Sequence, residues 1–230
     1  MVLVLFDIDG TLLTAAGAGR RAIHGALRDV FGGVGPADYW FDGKTDPQIV
    51  RDLMRHEGHS DAVIDDRLGD VLARYADRLG MELQDPSHVP IVHPGVPEIL
   101  DALESHPDVI LGLLTGNIES GATQKLRAVG LNPTRFVIGA FGSDHESRLE
   151  LPAIAATRAQ ERLGVDPPIV VIGDTPADVA CGAGAKRRAI AVATGRYTVA
   201  ELNACGPAAV FQDLSDTEAV MAAIVGAPGA

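Results

Sequence analysis

Four short apolar runs, each rich in Val, Ile and Leu, constrain the fold of this 230-residue chain more than any other feature. They are VLVLF at 2–6, VILGLLT at 109–115, PIVVIG at 168–173 and AIAVAT at 189–194. Each run is bounded by Gly, Pro or Asp, a pattern typical of parallel strands that are covered on both faces. Segments of helical character separate the runs, and this alternation predicts right-handed βαβ units. We therefore predict an α/β fold with a doubly wound parallel sheet.

The predicted helices around this sheet are 96–105, 121–129, 151–163 and 176–182. Between residues 15 and 88 the alternation stops, because this stretch contains helix-like segments but no convincing buried strand. Those segments are 20–31, 47–55 and 61–79. We interpret 15–88 as an all-helical cap domain, inserted into an α/β core formed by 1–14 and 89–230. We expect the last residues, GAPGA, to form a frayed tail.

Charge and composition limit the function classes. The formal net charge of -12 argues against nucleic acid or an anionic membrane as a partner, because both need a positive protein surface. The two cysteines, Cys181 and Cys205, are too few for a disulfide framework and have no metal-ligand spacing, so we expect a reducing, cytoplasmic location. No apolar window is long enough for a membrane span.

Polar residues follow the predicted strands, at the edge where open parallel sheets bind ligands. They are, in chain order, Asp7 and Asp9, then Thr115, Gly116 and Asn117, then Asp174 and Asp178. Residues i and i+2 of an extended segment point to the same side, so Asp7 and Asp9 can face one site. Clustered carboxylates repel one another unless a cation neutralises them, and oxygen ligands suit a hard divalent ion such as Mg²⁺. The four acids therefore predict a Mg²⁺ site.

Such a cluster suits phosphoryl transfer. A carboxylate beside Mg²⁺ can attack phosphorus and form an aspartyl-phosphate, which divides a difficult hydrolysis into two easier reactions. The second acid, two residues further on, can protonate the leaving alcohol and then activate water. The Thr115 hydroxyl and nearby backbone N–H groups can bind phosphoryl oxygens, and Arg148 can offset their charge.

Each motif also has a purely structural interpretation. The segment from Asp7 to Asp9 can form a turn or cap a helix, and Asn117 can cap the helix that follows its strand. GDTPADV can be a cap followed by an exposed acid, and Arg148 can be a surface cation. The placement of three motifs after three separate strands favours a catalytic site.

Together these segments resemble the haloacid dehalogenase superfamily, and within it the phosphoglycolate phosphatase-like phosphatases with a helical cap. The matching motifs are DIDGT at 7–11, LTGN at 114–117 and GDTPAD at 173–178. The resemblance implies Asp7 as nucleophile, Asp9 as general acid/base and Thr115 as phosphate binder. It also implies Asp174, with Asp178, as Mg²⁺ ligands beside Asp7 and the backbone carbonyl of Asp9. An acid at position 9 favours phosphoryl transfer, because dehalogenases of the superfamily generally lack it.

The sequence departs from the third motif of the family, which is normally a lysine followed by proline. No Lys-Pro pair occurs between Thr115 and Gly173. The nearest replacement is Arg148, just before a predicted helix, and Arg158 on that helix is the second choice. Arginine keeps the charge but differs from lysine in shape and hydrogen bonding.

The most site-like part of the insertion is FDGKTDPQI at 41–49. The predicted substrate-binding residues are Lys44, Thr45, Gly116 and Asn117. In the alternative interpretation Asp46 caps a helix that starts at the following proline, and Lys44 is solvated. Arg20, in the first insertion helix, can face the cleft, but we prefer its interpretation as a helical surface charge.

The sequence thus predicts a Mg²⁺-dependent phosphomonoester hydrolase, monomeric or homodimeric, that acts on a small phosphate ester, with phosphoglycolate as one candidate. One alternative is a sugar-phosphate mutase of the same design, which returns the phosphoryl group to its substrate. Another is a regulatory module that binds Mg²⁺ and phosphate without turnover. The second acid and the large insertion argue against the module, which needs neither.

Overall fold

A six-stranded parallel sheet forms the centre of the protein, whose computed structural model describes residues 1–226. Residues 227–230, which belong to the predicted core and tail, lie outside the described part. The strands of the chain are β1 Val2–Phe6, β2 Leu13–Thr14, β3 Ile91–Val92, β4 Val109–Thr115, β5 Ile138–Phe141, β6 Ile169–Gly173, β7 Arg187–Val192 and β8 Ala209–Phe211. The order in the large sheet is β5-β4-β1-β6-β7-β8, and every pairing in it is parallel. The predicted doubly wound α/β fold is confirmed.

Helices cover this sheet and also form a separate three-helix region. They are α1 Ala18–Phe31, α2 Asp46–His56, α3 Asp61–Glu82, α4 Val96–Glu104, α5 Glu119–Ala128, α6 Leu151–Leu163, α7 Pro176–Cys181, α8 Val199–Ala204 and α9 Thr217–Val225. The three-helix region consists of α1 to α3 and lies between β2 and β3, within the predicted insertion. Within residues 1–226, no helix combines the length and apolar character needed to cross a membrane.

Both faces of the sheet are buried, as the continuous apolar runs predict. In β1, Val4 and Phe6 belong to one hydrophobic cluster, whereas Leu3 and Leu5 belong to another on the opposite face. This division follows from the alternation of side chains along a strand. The first cluster continues into the three-helix region, where Tyr75 of α3 is fully buried.

Some elements escaped the sequence analysis. Strand β8, helices α8 and α9, and the two-residue hairpin of β2 with β3 were not predicted. The hairpin pairs Leu13 with Val92, and a two-residue strand paired with a partner so distant in sequence carries no periodicity to detect. Strand β8 has only three residues, all partly exposed at the sheet edge.

The strand order places the functional edge. From β1 the chain moves outward through β4 to β5, and it then returns to the other side of β1 with β6. The carboxyl ends of β1, β4 and β6 therefore meet at the point where the winding direction changes, which is where open α/β sheets bind ligands.

Two glycines have the same backbone conformation but differ in how closely other atoms pack against them. Gly95 and Gly130 have φ of 79° and 78°, in the left-handed region. A Cβ at Gly95 would overlap the backbone carbonyl of Leu214, whereas nothing lies within 4 Å of one at Gly130. Gly130→Ala should lower the free energy of unfolding by about 1–2 kcal/mol, the cost of this conformation for an L-residue. Gly95→Ala should cost about 2 kcal/mol more, because it also overpacks the core.

The measurement is urea denaturation of both variants beside the wild-type protein. Equal losses in the two variants would contradict the close packing of Gly95 against the segment that precedes α9.

Candidate active site

A cavity of about 240 Å³ lies at the carboxyl ends of β1, β4 and β6. The loops at the end of the sheet and the three-helix region both line it, and residues 42–46, which we call the roof loop, form part of its wall. Outside the three-helix region and the roof loop, its polar lining residues include Asp7, Asp9, Thr115, Asn117, Lys125, Arg148 and Asp174. The cavity therefore brings together the three motifs that the sequence analysis selected.

Three buried carboxylates form a cluster on its floor. Asp7 follows β1, Asp174 follows β6, and Asp178 lies in the first turn of α7. One oxygen of each lies within 4.8 Å of the others, so the group can hold a metal ion. An all-carboxylate donor set suits a hard divalent cation.

Arg148 lies against this cluster. It is buried in a 3₁₀ turn, Arg148–Glu150, that leads into α6. Its Nη2 is 2.9 Å from Asp7 Oδ1 and 2.6 Å from Asp178 Oδ1. Three carboxylates and one guanidinium leave a formal charge of about -2, which a divalent cation would balance.

The second candidate cation, Arg158, lies elsewhere. It pairs with Asp144 at 2.6 Å and donates a hydrogen bond to the Gly139 carbonyl, outside the cavity wall. The structure therefore brings Arg148, and not Arg158, to the carboxylates.

The acids of the cluster are held by different contacts. Asp178 Oδ2 accepts hydrogen bonds from the backbone N–H and the hydroxyl of Thr175, so both of its oxygens are engaged. Asp174 accepts one from the Thr11 hydroxyl at 3.0 Å. A Cβ at Gly10 would overlap the Asp174 carboxylate, so backbone encloses this acid closely. Asp178 thus orients Arg148 and α7, while Asp7 and Asp174 keep free oxygens.

Burial and mutual repulsion set the protonation of the cluster. Burial raises the pKa of Asp7 to about 6; Arg148 lowers it in part, while Asp178 and Asp9 raise it further. The pKa of Asp174 is raised well above its usual value by burial, and then by Asp178 and Asp7. A bound cation would favour the charged form of both acids.

The carboxylate of Asp9 does not join this cluster, contrary to the predicted site of four acids. Its Oδ2 accepts hydrogen bonds from Lys125 Nζ at 2.6 Å and from Asn117 Nδ2 at 2.8 Å. These contacts turn the carboxylate toward α5. A metal contact through the Asp9 backbone carbonyl stays a prediction.

The second motif forms one wall of the cavity. Thr115 Oγ1 accepts a hydrogen bond from Asn117 Nδ2 at 2.8 Å, so its own hydroxyl hydrogen can point elsewhere, toward a ligand. Asn117 does not cap α5, because Ile118 occupies the N-cap position. The Asn117 side chain instead joins Thr115, Asp9 and Lys125 in one network.

The roof loop docks on the second motif through its backbone. Asp46 N–H donates to the Gly116 carbonyl, and Asp46 Oδ2 accepts from Ile118 N–H, both at 2.8 Å. A Cβ at Gly116 would overlap the Lys44 carbonyl, and one at Gly142 would overlap the Gly116 carbonyl. Because these two glycines carry no side chain, the backbone of the roof loop can pack directly against the second motif.

Two roof-loop predictions need correction. Thr45, and not Asp46, caps α2, and the helix begins at Asp46. The Thr45 hydroxyl accepts from Gln48 N–H and donates to the Glu146 carbonyl at 2.7 Å, so Thr45 does not line the cavity as a substrate contact. Lys44 does line it, with Nζ 3.7 Å from the centre of the Tyr39 ring.

Two further cations belong to the cavity. Arg20 lines it, with its guanidinium carbon 4.0 Å from the centre of the Phe41 ring, so the preferred interpretation as a surface charge is wrong and the cleft-facing alternative holds. Lys125 lies on the buried face of α5 beside Ala122 and Leu126. A lysine within an apolar helical stripe was the signal that could have identified it.

A family model described as haloacid dehalogenase-like hydrolase matches residues 4–183, and a second one, described as HAD-hydrolase-like, matches 152–217. No curated protein sequence matches the chain.

Several solved structures share the fold at low sequence identity. CbbY from Rhodobacter sphaeroides, in complex with phosphate, aligns with a TM-score of 0.70 and 17% identity over 93% of this chain and 95% of its own. A predicted phosphoglycolate phosphatase from Haemophilus somnus aligns with a TM-score of 0.69 and 21% identity, over 95% and 97%. A protein assigned as a beta-phosphoglucomutase from Thermotoga maritima has a TM-score of 0.57 and 22% identity, over 98% and 100%.

The buried carboxyl group of Asp46 predicts a pH-dependent stability. Burial raises its pKa to about 6, although Lys125 and the Ile118 N–H lower it in part. A carboxyl group whose pKa is higher in the folded than in the unfolded state stabilises the fold fully when the pH is below its pKa in the unfolded state. This stabilisation is lost as the pH rises through its pKa in the folded state. Asp46→Asn keeps an acceptor for Ile118 and removes the titration.

Relative to Asp46→Asn, the wild-type free energy of unfolding should therefore fall by up to about 3 kcal/mol between pH 4 and pH 7. Urea denaturation of both proteins with EDTA measures this difference, and the other acids cancel because both proteins carry them. Parallel pH profiles of the two proteins would contradict a raised pKa of Asp46 in the folded state.

Proposed function

As a member of the haloacid dehalogenase-like hydrolase family, the chain is a hydrolase, and we propose that it cleaves small phosphomonoesters with Mg²⁺ through an aspartyl-phosphate at Asp7. The observation that carries this proposal is the buried cluster of three carboxylates and one guanidinium, with a separate acid, Asp9, on the same cavity. A hydrolase of phosphate esters needs a nucleophile, a proton donor and positive charge at one place.

Asp7 and Asp174 would hold Mg²⁺, supported by Asp178 and the Asp9 carbonyl. When bound, the ion would act as a Lewis acid that neutralises charge on the phosphoryl oxygens. Its charge of +2 matches the formal charge of the cluster, and oxygen ligands with a phosphate group are the usual environment of Mg²⁺.

The proposed reaction uses two transfers at phosphorus. The Asp7 carboxylate forms a bond to phosphorus while the bond to the ester oxygen breaks, and Asp9 gives its proton to the leaving alcohol. Water then attacks the phosphorus, Asp9 takes a proton from it, and Asp7 is released together with inorganic phosphate. Thr115 and Arg148 stabilise the charge on the phosphoryl oxygens during both transfers.

Two features favour a small alcohol that carries an anionic group. The cavity of about 240 Å³ is at the small end of the usual range for ligand sites, which suits a small phosphate ester. Arg20 lines it and has no carboxylate partner within 4.0 Å among residues 1–226. Lys44, in contrast, pairs with Asp52, with 3.8 Å between Nζ and Oδ2. A carboxylate on the alcohol could pair with Arg20, and this supports phosphoglycolate as a candidate substrate, in line with the name of the Haemophilus somnus protein.

We propose that residues 15–88 act as the cap that selects the alcohol. The contacts of Asp46 with Gly116 and Ile118 support this role, because they hold the roof loop over the cavity. A closed roof would exclude water while the aspartyl-phosphate forms.

A mutase of the same design is the second candidate, supported by the name of the Thermotoga maritima protein. A mutase would return the phosphoryl group to the sugar, and a hydrolase releases it. A panel of phosphate esters, assayed in parallel for inorganic phosphate and for isomerised product, separates the two. Isomerisation without phosphate release would contradict the hydrolase assignment.

The nucleophile can be tested directly. Asp7→Asn removes the attacking oxygen at nearly constant volume, so hydrolysis of p-nitrophenyl phosphate with Mg²⁺ should fall by at least about 10³-fold. EDTA should abolish the wild-type activity, and Mg²⁺ should restore it. Wild-type turnover in Asp7→Asn would rule out the aspartyl-phosphate at this residue.

Two arginines of the same segment offer a matched pair. Arg148→Ala leaves Asp7 and Asp178 without their buried partner, so kcat/KM should fall by at least about 10²-fold. Arg158→Ala removes the pair with Asp144 and the hydrogen bond to the Gly139 carbonyl, both outside the cavity, and it should keep kcat/KM within about threefold of wild type. Thermal unfolding of both variants is the folding control. A loss in Arg158→Ala together with retention in Arg148→Ala would reverse the assignment.

A further inference from the structure

Lys125 is a buried cation that the proposed reaction leaves without a role. Only 4% of the residue is exposed, and an ammonium group at that depth needs close partners to offset its lost hydration. It has two, because Nζ donates to Asp9 Oδ2 and to Asn117 Oδ1, each at 2.6 Å. Lys125 therefore belongs to the acid/base side of the cavity, whereas Arg148 belongs to the nucleophile side.

The contacts fix one oxygen of Asp9 and leave the other free. Oδ2 accepts from Lys125 and also from Asn117 Nδ2, at 2.8 Å. Oδ1 has no hydrogen-bond partner among residues 1–226, and the Asp9 side chain is 43% exposed on the cavity side of the network. A carboxylate held through one oxygen presents the other in a fixed direction.

Room for the ammonium group comes from the three-helix region. Gly19 in the first turn of α1 lies beside Lys125, and a Cβ there would be 3.3 Å from Nζ. The carboxyl of Asp46, the last residue of the roof loop and the first of α2, also interacts with Lys125. Burial raises the pKa of Asp46, and the positive charge of Lys125 lowers it in part. The docked helices thus complete the environment that holds Lys125 against Asp9.

We infer that Lys125 is a positioning residue, which holds Asp9 so that Oδ1 meets the oxygen of the leaving alcohol. This inference rests on the proposed function, since it gives Lys125 its effect through the acid that protonates the alcohol. It also separates two positive charges: Arg148 serves the nucleophile, and Lys125 serves the acid.

The test compares two esters that differ in their need for an acid. An alkyl alcohol leaves poorly unless an acid protonates it, whereas p-nitrophenolate leaves without a proton. The value of kcat/KM depends only on the steps up to and including departure of the alcohol, so it isolates this difference. For Lys125→Met, kcat/KM should fall at least about 10²-fold with the alkyl ester that wild type hydrolyses best, and less than about tenfold with p-nitrophenyl phosphate. Lys186→Met, which removes an exposed lysine paired with Asp166, is the matched control and should leave both values unchanged.

A double-mutant cycle tests whether Lys125 acts through Asp9. Asp9→Asn should show the same selective loss with the alkyl ester, and Lys125→Met should add little in the Asp9→Asn background. Equal losses with the two esters in Lys125→Met, or additive losses in the double mutant, would overturn the inference.

If Lys125→Met does not fold, Gly19→Ala provides the second test. Its Cβ presses on Nζ within a helix that accepts alanine, so the alkyl ester should again lose more than the aryl ester. An unchanged ratio of the two kcat/KM values in Gly19→Ala would then overturn the inference. Failure of the proposed function itself looks different, because wild type would then hydrolyse neither ester.

Discussion

The buried pairing of Arg148 with Asp7 and Asp178 is the interaction on which the catalytic end of the sheet depends. Carboxylates removed from water are strongly destabilising unless a positive charge accompanies them. The three groups come from β1, from α7 and from the turn before α6, so the pairing requires that all three elements reach one point. The strand order supplies that point, since β1 and β6 are neighbours and α6 leads into β6.

Positive charge at the cavity is divided between two residues, of which Arg148 stands where the family pattern has a lysine. Arg148 approaches the acid cluster from the β6 side, and Lys125 approaches Asp9 from α5. Each cation therefore stabilises a different carboxylate, and the two acids of DIDGT experience different environments although only one residue separates them. A guanidinium suits the first position, because its planar fork can contact two carboxylates at once.

The sequence predicted what depends on local pattern. Asp7 and Asp174 could be placed at one edge because they end apolar runs, and parallel strands end together. It failed where a side chain has a choice of partners. Thr45 was assigned by residue type to the substrate, yet the start of α2 and the distant Glu146 carbonyl engage its hydroxyl. Asn117 lines the cavity, where it joins Thr115 and Asp9, and its contact with a substrate stays a prediction. Lys125 was missed although it lies in the apolar stripe of α5, because lysines are rarely buried and its residue type alone favours an exposed position.

The close packing of the roof loop against Gly116 and Gly142 has an evolutionary consequence. The backbone of the roof loop rests on these glycines, and the side chains of Thr45 and Asp46 add hydrogen bonds to the Glu146 carbonyl and the Ile118 N–H, whereas the Lys44 side chain takes no part in this attachment. Residues such as Lys44 can then be exchanged during divergence without loosening the loop from the sheet domain. A lineage would in this way change the lining of the cavity by substitutions in the loop while the carboxylates and Arg148 beneath it stay constant.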